Sequence, residues 1–331
     1  MLKIFRTDIY LQAVILVVTV VLLWVRAIIA PVAAIPEGGS EIFYLLTDWM
    51  SPRVATVTAM ILIVAGGLFF NSLLYRNKMI GQNTLLPMLF FILAMSLGSR
   101  QTTLTPLLVG VLFLILCASQ TMITGTLLSL SIDKTFGAAA SLSLGTLICP
   151  SLAVFVLPLM MCMLNYSLYS WRDWTMLLLG IAAPYIPVEL YWYLSGDLFY
   201  RNYLLLYDLT NVGLVLEHPI AEWVMSLLFF LLTVVAFSYT IANNQRHGTN
   251  YKKNTAALLF PFVGSLIIGA YSTFVPLPTQ AYALPFAFCC SVMFHDEKKK
   301  EWIWNILLIA LLLAAVAYNI LSNSQYAALT I

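Results

Sequence analysis

Residues 54–78 read VATVTAMILIVAGGLFFNSLLYRNK, an uncharged run from 54 to 75 that stops abruptly at Arg76 and Lys78. A helix that crosses about 30 Å of hydrocarbon needs about 20 consecutive apolar residues. This stretch therefore predicts a membrane-spanning helix that begins beside Arg53 and ends in a basic break. The same alternation of apolar run and short polar break continues in both directions. It predicts spans at 10–31, 54–75, 84–99, 104–130, 135–149, 150–168, 174–195, 221–242, 256–275, 279–294 and 302–322, eleven in all. Composition agrees: 62% of the 331 residues are apolar and 9% are charged, against about 25% charged in a soluble domain. The fold class expected is all-α, a polytopic transmembrane helical bundle forming a single integral-membrane domain over 1–331.

The basic residues orient it. Alternate breaks hold Lys3 and Arg6; Arg76 and Lys78; Lys134; Arg172; Arg246, Lys252 and Lys253; and Lys298, Lys299 and Lys300. The intervening breaks hold only Arg53, Arg100 and Arg201, twelve against three, with Arg26 inside the first span. Lysine and arginine near membrane spans stay cytoplasmic, which puts the N-terminus inside and, after an odd number of crossings, the C-terminus outside. Two short segments meet at Cys149-Pro150; they could also form one kinked helix or a re-entrant pair. The first run starts basic and has small residues at Ala30, Ala33 and Ala34. Its length and Arg26 favour an uncleaved anchor over a secretory signal, whose apolar core is roughly 7–15 residues.

Several chemistries find no residues to carry them. No GxxxxGK[ST] or GxGxxG sequence offers a phosphate cradle, and a net charge of +2 gives no electrostatic footprint for nucleic acid. His218, His247 and His295 lie apart in loops, without ligand spacing. The cysteines Cys117, Cys149, Cys162, Cys289 and Cys290 sit inside apolar runs, where a thiol packs as a small hydrophobe. No metal and no cofactor is expected.

The outer face carries the candidate chemistry. Charge inside hydrocarbon costs at least about 2.5–3.5 kcal/mol, so charged residues there pair or line cavities. Arg26 in the first span and Glu189 in the seventh both fall toward the outer end and could meet. Pro184 and Pro187 precede Glu189 and could bend or unwind the helix. Outer loop 32–53 holds Glu37, Glu41 and Asp48, and its segment EIFYLLTDW has the mixed character of a short interfacial helix. Outer loop 196–220 is too apolar for a free linker and too charged to span, so a second interfacial helix is expected. It carries Phe199, Tyr200, Tyr203 and Tyr207 at headgroup level, with Asp197, Arg201 and Asp208 facing the vestibule of the first loop. Carboxylates that activate an acceptor hydroxyl, and arginines that bind a departing phosphate, are what an enzyme acting on a polyprenyl-phosphate-linked sugar requires. On that reading Glu37, Glu41, Asp48 and Glu189 are catalytic candidates, and Arg26, Arg53, Arg100 and Arg201 are phosphate-binding candidates. The small residues Ala138, Ala139, Ala140, Ser141, Ser143 and Gly145 form a face for close helix contact.

Phe69-Phe70-Asn71 with Asn77, Thr84-Leu85-Leu86-Pro87, Leu104-Thr105-Pro106, and Trp171-Arg172-Asp173-Trp174 followed by Gly180 and Pro184-Tyr185 together resemble a family of polytopic bacterial inner-membrane proteins of unknown function. The likeness covers residues 60–200. It implies a multi-pass topology and a cell-envelope setting, and no activity. Some such proteins carry carotenoid-oxygenase labels, but the histidine ligands of that iron chemistry are missing here. The architecture is also similar to multi-span glycosyltransferases and polymerases that use lipid-linked sugars, which would give Glu37, Glu41 or Asp48 the part of base; the paired adjacent acids of that loop are absent. Three readings follow. The chain handles a lipid-linked envelope glycan at the outer face; or it is a non-catalytic subunit that scaffolds an envelope complex with partner proteins; or it is a lipid or solute transporter gated at the seventh span. Membrane lipids are partners in all three.

Overall fold

A computed structural model describes Phe5, Ala33 and residues 8–31, 39–81, 84–97, 102–124, 131–168, 170–210, 220–244, 247–271, 279–296 and 301–329. Among them there is no strand. Thirteen α-helices follow one another: α1 (Ile9–Ile29), α2 (Glu41–Thr47), α3 (Pro52–Arg76), α4 (Leu86–Met95), α5 (Pro106–Thr124), α6 (Ser131–Ile148), α7 (Val156–Asn165), α8 (Trp171–Ser195), α9 (Leu198–Thr210), α10 (Ile220–Asn244), α11 (Thr249–Tyr271), α12 (Ala283–Asp296) and α13 (Glu301–Leu329). A 3₁₀ turn, Pro150–Phe155, leads into α7.

Five of these, α1, α3, α8, α10 and α13, are long and apolar enough to cross a membrane. Their exposed faces are rows of Val, Leu and Ile: Val14, Val17, Val18 and Val21 on α1, Leu178, Leu179 and Ile186 on α8, Val224, Leu227 and Leu231 on α10. Such faces suit lipid, because apolar side chains on a solvated helix would gather on one buried side only.

Every predicted span contains a helix, but several are shorter than expected; α7 has ten residues after its 3₁₀ turn, and two more short helices lie in the core. In place of 84–99 stands α4, ten residues that are all buried, about 15 Å long at 1.5 Å per residue. In place of 279–294 stands α12, 14 residues and about 21 Å, with every side chain from 279 through 294 buried. Hydropathy measures the apolar run, not the helix, and here part of each run is non-helical backbone enclosed by protein. The two short helices pack on each other and on α3 and α10, with Phe90 edge-on to Phe286 at 5.9 Å and beside Phe294 at 5.1 Å.

Backbone that leaves a helix inside the bundle needs partners for its polar groups. At the end of α4 those partners are side chains. Thr279 Oγ1 donates to the Ala94 carbonyl at 2.8 Å, Gln280 Nε2 to Met95 at 3.2 Å, and Asn319 Nδ2 to Ser96 at 2.7 Å. Trp24 Nε1 donates to Ser96 Oγ at 3.0 Å. At the start of α4, Gln12 Oε1 accepts from the Leu85 N–H at 2.8 Å. The first and last spans thus hold the ends of α4.

The small-residue face of α6 packs most extensively against α5 and α8. A Cβ at Gly180 would lie 2.7 Å from both the Ala139 Cβ and the Phe136 carbonyl oxygen, so only glycine lets α8 come this near. Ser143 Oγ donates to the Ile181 carbonyl at 2.6 Å across the same seam. α8 remains helical through Pro184 and Pro187, so the expected unwinding there is not observed. At Cys149 the backbone turns extended (φ −129°, ψ 93°) and Pro150 opens the 3₁₀ turn; the break between α6 and α7 is therefore real. In the stretches 32–53 and 196–220, where the sequence predicts short helices, stand α2 and α9.

Candidate functional site

The Cys149 break leaves the last carbonyls of α6 without intrahelical donors. Ser40 fills that role: its N–H donates to Ile148 O at 3.0 Å and its hydroxyl to Leu147 O. The contact plants the start of α2 on the end of α6 and aims the next residue, Glu41, across a gap toward α9.

On the far side, α8 ends at Gly196 in the left-handed conformation (φ 84°). The Gly196 N–H returns to Tyr193 O at 3.2 Å and the Asp197 N–H to Trp192 O at 3.1 Å, which is the geometry that closes a helix on a glycine. The chain reverses and α9 begins. Its side chains Arg201 and Asn202 then reach two different elements. Arg201 forms an ion pair with Glu41 of α2, and its guanidinium also lies 3.8 Å from Asp197. Asn202 Nδ2 donates to Glu189 Oε2 on α8 at 2.9 Å.

Between α2, α8 and α9 opens a cleft of about 390 Å³ lined by Ser40, Glu41, Ile42, Tyr44, Trp192, Tyr200, Arg201, Leu204 and Leu205. One part of the wall is polar, Glu41, Arg201 and Ser40, and the rest is aromatic and aliphatic. The size falls in the range of small-molecule sites, about 300–1,000 Å³. Glu41 is 36% exposed at its side chain and Arg201 26%, so the pair is neither sealed off nor fully screened. The guanidinium Nε of Arg201 is buried and has no hydrogen-bond partner among the described residues.

The eight candidate residues separate accordingly. Glu41 and Arg201 meet in the cleft. Glu189 lies one helical turn before the lining residue Trp192 and is held by Asn202, not by Arg26. Arg26 is half-buried in the last turn of α1, where its charge faces the helix C-terminus favourably; among the described residues it forms no ion pair. Asp48 and Arg53 are exposed and do not line the cleft. Glu37 and Arg100 lie outside the described residues, as does the Asp208 side chain. Sequence reading missed Ser40 and Asn202. A serine at a loop–helix junction is a familiar cap, but its partner 107 residues away leaves no trace in spacing.

Two smaller crevices lie deeper in the bundle. One, of about 30 Å³, is lined by Leu114, Cys117, Leu159, Cys162 and Pro261 among others; it is apolar and scarcely larger than a water. Among the described residues no cluster of histidine, cysteine or carboxylate side chains could hold a metal ion.

No protein-family model, no curated protein and no solved structure matches this chain.

Proposed function

We propose that this chain is a multi-pass protein of a bacterial inner (plasma) membrane that handles a lipid-linked envelope glycan at the outer face, in the manner of a glycosyltransferase or polymerase. In this reading it crosses eleven times, with the N-terminus and the lysine-rich breaks in the cytoplasm. α2 and α9 lie along the outer interface. The observation that carries the proposal is the pair Glu41 and Arg201 in the wall of a cleft otherwise lined mainly by aromatic and aliphatic side chains. Phe199, Tyr200 and Tyr203 on α9, together with Trp49 just past α2, are strongly exposed, as aromatic side chains at a headgroup layer would be.

The chemistry assigned to the cleft is glycosyl transfer. The Arg201 guanidinium binds the phosphate of the donor lipid by charge-assisted hydrogen bonds. The Glu41 carboxylate takes the proton of the acceptor hydroxyl as its oxygen bonds to the anomeric carbon. The bond from that carbon to the phosphate oxygen breaks, and the lipid phosphate leaves with both electrons, stabilised by the arginine. Ile42, Leu204 and Leu205 supply the apolar wall along which a polyprenyl chain runs.

The test is the profile of lipid-linked glycans in cells whose only copy carries Glu41→Gln or Arg201→Gln, at matched protein abundance. Accumulation of unprocessed lipid-linked glycan in both strains is expected. Unchanged profiles in both would remove this reading and leave the scaffolding role.

A further inference from the structure

An ion pair in the wall of a binding cleft raises a question of its own: the two groups assigned to a substrate already satisfy each other. Arg201 is approached by two carboxylates, Glu41 and, at 3.8 Å, Asp197. Yet its buried Nε–H has no acceptor among the described residues. Buried donors are nearly always satisfied, so this one is free to take an acceptor that reaches it once the Glu41 carboxylate has moved aside. Arginine binds carboxylate and phosphate in the same planar, two-pronged way. A phosphate can therefore take the carboxylate's place and also reach the Nε–H that the carboxylate leaves empty.

We infer that Glu41 is a resident stand-in for a lipid phosphate: it occupies Arg201 while the cleft is empty and gives the guanidinium up when a polyprenyl phosphate headgroup arrives. This deepens the reading of the cleft under Proposed function and rests on it for the identity of the lipid. The exchange does two things. It keeps the arginine positioned and compensated in the empty site, and it withholds the base until substrate is bound. A carboxylate paired with arginine is a weak base; one whose partner has been taken binds a proton more readily. Arrival of the phosphate thus activates Glu41 toward the acceptor hydroxyl. Asn202, the neighbour of Arg201, keeps its hold on Glu189 throughout, so α9 stays docked on α8 while its bond to α2 is exchanged.

The experiment is titration of polyprenyl monophosphate into the full-length chain in nanodiscs of zwitterionic lipid, for wild type and matched monodisperse variants. Glu41→Gln removes the competitor from Arg201 and is expected to tighten binding about five-fold, the worth of a partly exposed ion pair. Arg201→Gln is expected to abolish binding, and Arg201→Lys, which lacks the fork, to weaken it. Unchanged or weaker binding in Glu41→Gln overturns the exchange. A second measurement needs no variant: hydrogen–deuterium exchange in α2 should rise when wild type binds the lipid, because α2 loses its tie to α9; protection of α2 overturns the inference. Inorganic phosphate serves as the control for the source of the anion. Competition by it at equal concentration would show a free-anion site and overturn the assignment to lipid. The two readings fail separately. Tighter binding in Glu41→Gln with normal envelope glycans keeps the exchange and removes glycosyl transfer. Altered glycans with unchanged affinity do the opposite.

Discussion

The amide of Asn202 donates to the carboxylate of Glu189 at 2.9 Å, and through this bond the helix after the Gly196 turn is folded back onto the end of α8. Replacing that amide by a second carboxylate, Asn202→Asp, removes the donor and sets two negative charges at hydrogen-bonding distance. The loss should exceed that in Asn202→Ala, which removes the bond but adds no repulsion. We expect about 1–3 kcal/mol for the lost donor to a charged group, with the aspartate variant lower again. Thermal melting of the purified protein, followed by size-exclusion chromatography with fluorescence detection, separates the two. Equal melting points would mean that the contact does not hold α9.

Asn319 offers a sharper test of the core. Its amide donates to two carbonyls, Leu23 on α1 at 3.2 Å and Ser96 at the end of α4 at 2.7 Å. Asn319→Leu keeps the branched shape and strips both bonds; the Leu23 carbonyl lies within α1, but the Ser96 carbonyl at the broken end of α4 is left in an apolar interior. A loss of about 1–2 kcal/mol is expected, the upper range for polar contacts between membrane helices. Wild-type melting in Asn319→Leu would show that water or another side chain reaches Ser96.

Two glycines separate lack of space from backbone conformation. Gly180→Val drives a branched side chain against the Ala139 Cβ and the Phe136 carbonyl oxygen, and neither can move without parting α6 from α8. Failure to accumulate folded protein is the expected result, seen as aggregation on size exclusion. At Gly196 a Cβ would meet nothing within 4 Å, and the penalty comes only from φ 84°. Gly196→Ala should therefore fold, with a cost of about 1 kcal/mol, whereas Gly196→Asn, which tolerates that region, should cost less.

Ser40 anchors the cleft from the other side. In Ser40→Ala the backbone bond to Ile148 persists and the hydroxyl bond to Leu147 is lost. A stability change of about 0.5–1.5 kcal/mol is expected. Limited proteolysis between residues 31 and 52 should quicken by more than cleavage elsewhere. Uniform quickening along the chain would mean that Ser40 supports the bundle as a whole and not α2.

Much of this architecture was legible in the order of residues, for a physical reason. Lipid-facing helices advertise themselves, because an uncharged run such as 54–75 has few other uses; the helices at α1, α3, α8, α10 and α13 were read close to their observed bounds. The small-residue face of α6 was legible for a similar reason, since Ala138, Ala139 and Gly145 have nothing else to offer but close approach. The lengths of α4 and α12 were not. Their runs are as apolar as their neighbours', and at α4 the broken ends are satisfied by side chains drawn from α1, α13 and the turn before α12. The site was half legible. Charge placement singled out Glu41 and Arg201 and the two loops that carry them. It also put forward Asp48 and Arg53, which are exposed, and the pairing of Arg26 with Glu189, where Asn202 stands instead. Residues in one interfacial helix are equivalent to a reader of periodicity; only the contact of α2 with the end of α6 decides which of its acids turns inward.

The buried ends of α4 bear on how the protein is made. The helix emerges from the ribosome within the first third of the chain, yet the side chains that satisfy its last carbonyls, Thr279, Gln280 and Asn319, are synthesised near the end. At about 15 Å it cannot cross the bilayer unaided, and its exposed carbonyls have no place in lipid. The nascent chain must shelter this segment until the final helices insert. Completion of the centre is thus tied to completion of the whole: a chain that stops short of Asn319 on α13 leaves the Ser96 carbonyl at the end of α4 without that donor.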